Sequence, residues 1–118
     1  MTAPLLSADP AAAADPVVNT APPQVTGVPQ YGELLTADPG LWTPSGLSFS
    51  YQWLRDGDPV VGATGAALML GLEDLGHRMS VLVTATDGET SGAATSAPTP
   101  PVALRRYAVT QTPALSGV

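Results

Sequence analysis

The sequence contains no cysteine and no lysine, and each absence excludes a class of protein. Without cysteine, neither a disulfide between sheets nor a thiolate metal site can form, so a folded domain must be held by packing alone. Ten acidic residues against four arginines give a net charge of -6, which repels phosphate backbones and anionic membranes. We therefore expect neither nucleic acid nor a membrane as a partner.

Long apolar runs, reactive clusters and phosphate-binding loops are also missing. No run approaches the ~18 apolar residues of a membrane-spanning helix, and no glycine-rich loop leads from a strand pattern into a helix pattern. His77 is the only histidine, and its nearest acids in sequence are Glu73 and Asp74. Asp56-Gly57-Asp58 lacks the rest of a calcium-binding loop pattern. The sequence therefore predicts a protein that is not an enzyme and that binds no metal and no cofactor.

The clearest positive signal is an alternation of apolar and polar residues in two segments. In the first, aromatic side chains recur at every second position and place Phe49, Tyr51 and Trp53 on one face of a strand. Asp56-Gly57 follows it and favours a tight hairpin turn, because both residue types tolerate positive φ. The second segment, residues 79–85, has apolar residues at every second position, and Asp87-Gly88 gives the same turn signal after it. The predicted core consists of the inward apolar residues Leu35, Tyr51, Trp53, Leu68, Leu70, Val81 and Val83.

Composition divides the chain into three parts. Residues 1–23 hold seven alanines and five prolines, which favours an extended N-terminal arm. Residues 24–97 carry about seven short strand patterns separated by turn signals, which favours an all-β antiparallel sandwich over a helical fold. Residues 98–118 begin at a proline-rich joint and form a C-terminal arm, in which 102–110 is a candidate extra strand.

The arms also carry the candidate interface residues. The N-terminal arm offers four apolar anchors: Leu5, Leu6, Val17 and Val18. The C-terminal arm offers the one cluster of basic and aromatic residues on an acidic chain: Leu104, Arg105, Arg106 and Tyr107. Trp42 lies in a predicted loop and has two interpretations. Its ring either packs across the end of the sandwich or, together with Tyr31, offers an exposed face for stacking on a sugar.

Three motifs together resemble the immunoglobulin-like repeat of bacteria and phages. They are the strand and turn at 51–57, the Gly-Ala-Thr-Gly bend at 62–65 and the Asp-x-Gly corner at 74–78. The resemblance covers residues 24–97 and implies an immunoglobulin-like antiparallel β-sandwich of about seven strands. The chain departs from antibody-type domains because it has no cysteine and because Met79 and Val81 take the inward positions after the corner.

The resemblance also implies functions, since such repeats serve as spacer or adhesive modules in surface proteins and as decorating modules in tailed-phage virions. We expect a capsid decoration or cement protein on the particle surface. Its partners would be the major capsid protein or other shell subunits, and further copies of itself, for example as a trimer. Two alternatives stay open: a carbohydrate- or cell-surface-binding adhesion module outside the cell, and a tail-associated virion protein.

Overall fold

The structure is a computed structural model that describes residues 16–104. Within these residues the fold is all-β, with one short 3-10 turn at Leu72–Asp74 where the sequence predicts a corner. The predicted all-β class is confirmed. The strands, numbered in chain order, are β1 (Val18–Ala21), β2 (Gln24–Thr26), β3 (Leu34–Asp38), β4 (Leu41–Thr43), β5 (Ser48–Arg55), β6 (Asp58–Pro59), β7 (Ala67–Met69), β8 (Met79–Thr86) and β9 (Ser91–Thr95).

The strands form antiparallel sheets, and the longest pair is central. One sheet has the order β6-β5-β8-β9, a second has the order β2-β3-β7, and β1 pairs with β4. The β5 and β8 strands pair along their whole length, from Ser48 opposite Thr86 to Arg55 opposite Met79. The tight turn after β5 has φ of 53° at Asp56 and 88° at Gly57, as a hairpin of this type requires.

The core lies between the inner faces of the two larger sheets, in a sandwich-like arrangement. Trp53 from β5 is fully buried against a cluster that the other strands and the following loops supply. Its buried members are Leu35, Ala37, Leu70, Met79, Val81, Val83 and Val102. Alternation explains this face, because every second residue of β8 points inward.

Two predicted core residues are less buried than the rest. Tyr51 and Leu68 are half-buried and pack against the edge of the core cluster. Phe49, predicted on the same face as Trp53, is 38% exposed. It lies near the first residue of β5, where its ring centroid is 6.3 Å from that of Trp42. Burial along this face therefore increases from Phe49 to Trp53.

Strand pairing begins before residue 24, the predicted start of the sandwich. Residues 18–21 form β1, which pairs with β4, and the Asn19 side chain strengthens the pair by donating to the carbonyl of Leu41 at 3.0 Å. Trp42, predicted in a loop, is therefore in a strand. The sequence did not predict β1 because the four residues of this strand lie in a short run between Pro16 and Pro22, and the prolines on both sides indicated an arm.

Contacts with the sheets likewise continue past residue 97, the predicted end of the sandwich. Thr99 donates its backbone N–H to the carbonyl of Met79 at 2.8 Å, and Val102 is 3% exposed within the core cluster. Ala103 forms a parallel bridge with Gln30. The first part of the predicted C-terminal arm thus finds partners in its own domain, and only residues after 103 are left for an extra strand.

Candidate functional site

The strand motif at 51–57 is hydrogen-bonded to the bend at 62–65 and the residues just before it. Trp53 donates its indole N–H to the carbonyl of Gly65 at 2.9 Å. The Gln52 amide nitrogen lies 2.8 Å from the carbonyl oxygen of Val60 and 3.3 Å from that of Ala63. Two motifs that are separate in the sequence are thus one hydrogen-bonded unit, since the side chains of the first satisfy carbonyls of the second.

Arg55 and Asp74 form a buried ion pair at one end of the core. The guanidinium donates from Nη2 at 2.8 Å and from Nε at 3.0 Å, both to Oδ1 of Asp74. The other carboxylate oxygen accepts the backbone N–H of Gly71 at 2.9 Å. Asp74 is 3% exposed, and these partners compensate the burial of its carboxylate. The pair joins the end of β5 to the short 3-10 turn.

Asp56 attaches the β5–β6 turn to the start of β8. Its Oδ1 accepts the backbone N–H of Arg78 at 2.9 Å, and its Oδ2 lies 2.5 Å from Nδ1 of His77. Two hydrogen bonds lower the pKa of the Asp56 carboxyl below its usual value. The larger cause is the hydrogen bond from the Arg78 backbone N–H, and the second is the hydrogen bond with His77. The sequence pointed to Glu73 and Asp74 as the nearest acids, whereas the fold places Asp56 beside the ring.

These contacts decide how the motif residues can act. Gln52, Trp53, Arg55 and Asp74 all bind other parts of the domain, so each of these side chains has a structural role. Within residues 16–104, no three side chains of the histidine, aspartate and glutamate types converge as a metal site would require. His77 and Asp56 form a pair on the surface.

Trp42 takes the packed orientation of its two interpretations. Its indole N–H donates to the carbonyl of Pro39 at 2.7 Å, and its ring packs against the core cluster. The ring also lies beside Gly92, where an added Cβ would come within 3.4 Å of it. Tyr31, the other aromatic considered for sugar stacking, is 38% exposed in a turn at the far end of β3.

The predicted interface residues are divided by the fold. Leu5, Leu6, Arg105, Arg106 and Tyr107 lie outside the described residues. Val17 is half-buried, and its carbonyl oxygen and side chain pack against Gly92 at the start of β9. Val17 is therefore an anchor within its own domain. Val18 and Leu104 are 44% and 64% exposed, so both stay accessible.

A groove of about 490 Å³ lies on the outer face of the four-stranded sheet. Its lining consists of Leu54, Asp56, Gly57, Arg78, Ser80, Thr95, Ser96 and Pro98. Ser80 stands opposite Leu54 in the β5–β8 register, and Thr95 follows on β9. No sequence pattern predicted this groove. The one available signal was Arg78, a rare cation on an acidic chain.

A row of apolar side chains crosses the outer face of the three-stranded sheet. Leu34 and Met69 stand opposite each other in the β3–β7 register and are 50% and 61% exposed. Val28 is 51% exposed. It follows Gly27, where an added Cβ would lie 2.7 Å from the carbonyl oxygen of Leu34, so Val28 is close to the start of β3. Leu104 continues from Ala103, which bridges Gln30 at this same end of β3. The apolar row thus lies where the described chain leaves the domain.

Comparison with known protein families, curated proteins and solved structures gives no match. Among the described residues, no helix has the length and apolar character needed to cross a membrane.

Proposed function

We propose that this chain is a non-enzymatic structural protein of a tailed-phage virion, an immunoglobulin-like domain that decorates the capsid. The sheet orders support the fold part of the proposal. In chain order, β2-β3-β7 corresponds to strands A-B-E of an immunoglobulin-like sandwich, and β6-β5-β8-β9 corresponds to C′-C-F-G. The proposal for function depends on the surface, because many functions share this fold.

The observation that carries the proposal is the apolar row at the C-terminal exit. Leu34 and Met69 are neighbours on an exposed sheet face, and Leu104 leaves the domain at the same end. Adjacent exposed apolar side chains on a soluble domain are typical of an interaction surface. The next residues, Arg105 to Tyr107, are of types enriched at interfaces. We therefore assign contact with a shell subunit to this row and the segment that follows it.

The positions of the two chain ends support an attached module as well. The N-terminal end enters through β1, which pairs with β4 beyond the last residue of β3. The C-terminal end leaves beside Gln30, which precedes the first residue of β3. The two ends are therefore at opposite ends of the sandwich. One end can contact the shell while the other faces a neighbouring copy.

Co-sedimentation with particles that lack the protein tests the proposal. The double variant Leu34→Ser/Met69→Ser should lower particle occupancy by about tenfold or more, because it removes apolar area from the contact. Val61→Ser is the matched control, since Val61 is 99% exposed on a turn outside the row and should keep full occupancy. Equal occupancy of the double variant and the wild type would contradict the proposal. Binding to a glycan array in place of particles would favour the adhesion alternative.

A further inference from the structure

The groove on the outer face of the four-stranded sheet has a buried polar group without a partner in the part of the chain that the structure describes. Ser80 is 6% exposed, yet its hydroxyl makes no hydrogen bond to any other residue of the described chain. Ser96, equally buried on the next strand, accepts the N–H of Val81 at 3.0 Å and donates to the carbonyl of Ala97 at 3.1 Å. Buried hydroxyls nearly always have a partner, so the exception at Ser80 points to a missing one.

The same groove holds a cation that forms no ion pair with a described side chain. Of the two arginines in residues 16–104, Arg55 pairs with Asp74, whereas Arg78 has no acidic side chain of the described residues within 4.0 Å. Its Nη1 donates only to the carbonyl of Thr99, at 3.3 Å. Asp56 also lines the groove and attracts Arg78 electrostatically, but it forms no ion pair with the guanidinium; its oxygens accept the Arg78 backbone N–H and contact His77. A guanidinium has five donors, so Arg78 retains most of its capacity.

These two groups define the ligand that the groove fits. A carboxylate accepts hydrogen bonds both from a guanidinium and from a hydroxyl, and the charged pairs are the stronger ones. Leu54 and Pro98 offer apolar walls beside the polar groups. The ligand is therefore an aspartate or glutamate side chain on a segment with small apolar neighbours.

The N-terminal segment of this chain has that chemistry. Residues 1–15 carry two charges, Asp9 and Asp15, each in the sequence Ala-Asp-Pro, and no basic residue. The following proline disfavours helix at each aspartate, which suits a segment lying extended in a groove. Alanine and proline are small enough to lie beside Leu54 and Pro98. The segment and the groove are thus complementary in charge and in size.

The two aspartates differ in how many residues separate each of them from Val17. Val17 packs against Gly92, and Asp15 is only two residues away in sequence, a reach of at most about 7 Å. Asp9 is eight residues from Val17 and can reach about 26 Å from it when extended. This distance is about the length of an eight-residue strand, which is enough to pass beyond the domain. Asp9 is therefore the carboxylate that can reach a second copy.

We propose that the Arg78–Ser80 groove of one copy binds Asp9 of a second copy. This inference rests on the proposed role of the chain as a particle-bound module and names the partner of its N-terminal segment. Each copy has one such segment and one groove, so the contact can pass from copy to copy around a shell. On a particle, neighbouring copies are at high effective concentration, so that a contact that is weak in solution becomes occupied.

A charge exchange tests the proposal without any particle. Asp9→Lys and Arg78→Glu should each abolish self-association, because segment and groove then carry the same charge. A mixture of the two variants restores two opposite-charge contacts. The lysine introduced by Asp9→Lys can bind the glutamate introduced by Arg78→Glu. The native Asp9 of the Arg78→Glu variant can bind the native Arg78 of the Asp9→Lys variant. We expect the mixture to associate at least about tenfold more tightly than either variant alone, measured by sedimentation up to about 1 mM protein. When unlabelled Arg78→Glu is added, amide NMR shifts of labelled Asp9→Lys should change at Gly57, Ser80 and Thr95.

Two controls distinguish this contact from a general effect of charge on association. Asp15→Lys has the same charge change in the same tripeptide and should associate as the wild type does. Arg78→Gln replaces Arg78→Glu if the acidic variant unfolds, and it should also be monomeric. Monomeric behaviour of the mixture, or loss of association in Asp15→Lys, would overturn the inference. Either result leaves attachment through the Leu34–Met69 row untouched, because that attachment is measured separately on particles.

Discussion

The two faces of the four-stranded sheet use their residues differently. On the inner face, Trp53 and the alternate residues of β8 are fully buried, and the Trp53 indole N–H has a partner. On the outer face, Ser80 is almost as buried but has no hydrogen-bond partner among residues 16–104. The inner face is complete within one chain. The outer face contains a buried hydroxyl without a partner in the described chain, and this is where we propose that a second copy binds.

The largest expected effect is at Trp53. Trp53→Ala leaves a cavity in the core and removes the hydrogen bond to Gly65, so we expect the free energy of unfolding to fall by about 3–5 kcal/mol. Leu54→Ala, one residue along on the outer face, should cost about 1 kcal/mol. Chemical denaturation of both variants measures the difference between the faces. Similar losses for the two would remove the distinction on which the comparison rests.

Asp74 tests the ion pair at the end of the inner face. Asp74→Ala leaves the Arg55 guanidinium without its carboxylate and should lower the free energy of unfolding by about 3 kcal/mol. This figure is at the low end of the usual range because the Arg55 side chain is 28% exposed. Glu73→Gln changes the exposed neighbour and should stay within about 0.5 kcal/mol of the wild type. Thermal unfolding of the two variants checks the contrast.

Two serines of equal burial should respond in opposite directions. Ser96→Ala removes the acceptor for the buried Val81 N–H and should cost about 1–2 kcal/mol. Ser80→Ala removes a hydroxyl that has no partner in the described chain, so the isolated protein should gain up to about 1 kcal/mol. The measurement is urea denaturation at low protein concentration, where copies do not associate. A loss at Ser80 as large as that at Ser96 would mean that the Ser80 hydroxyl already has a partner.

The smallest expected effect is a pH dependence at Asp56. Its pKa is lower in the folded protein than in the unfolded chain, so its contribution to stability is present above the unfolded value of about 3.9. The contribution is lost as the pH falls below about 4 toward the folded pKa. The stability difference between wild type and Asp56→Asn should therefore narrow over this acidic range. Denaturation curves in which the difference stays constant would contradict the assignment.

Alternation in the sequence predicted the inner face well and the outer face poorly. A period of two shows which side chains point away from solvent in a single strand, and this was enough for Trp53, Val81 and Val83. It does not show what neighbouring strands and loops place over an outward residue. Ser80 is therefore buried in a position where the pattern predicts exposure. Arg55 and Asp74, 19 residues apart, meet only through the tertiary fold.

The chain ends were predicted from composition, which hid their first folded residues. Proline suggested arms at both ends, yet β1 and Val102 are held by partners far away in sequence. Composition cannot report such partners, because it contains no information on strand pairing. Deletions that are meant to remove only the arms should accordingly end at residue 15 and begin at residue 105.

Co-sedimentation of three chains with particles that lack the protein is the decisive experiment for attachment through the C-terminal exit. The chains are the full sequence, one without residues 1–15 and one without residues 105–118. We predict that loss of 105–118 abolishes attachment, whereas loss of 1–15 leaves attachment to sparsely covered particles and weakens it near saturation, where copies meet. Thermal unfolding of all three should be the same. Undiminished attachment of the chain without 105–118, or no attachment by the full sequence, would contradict the proposed role.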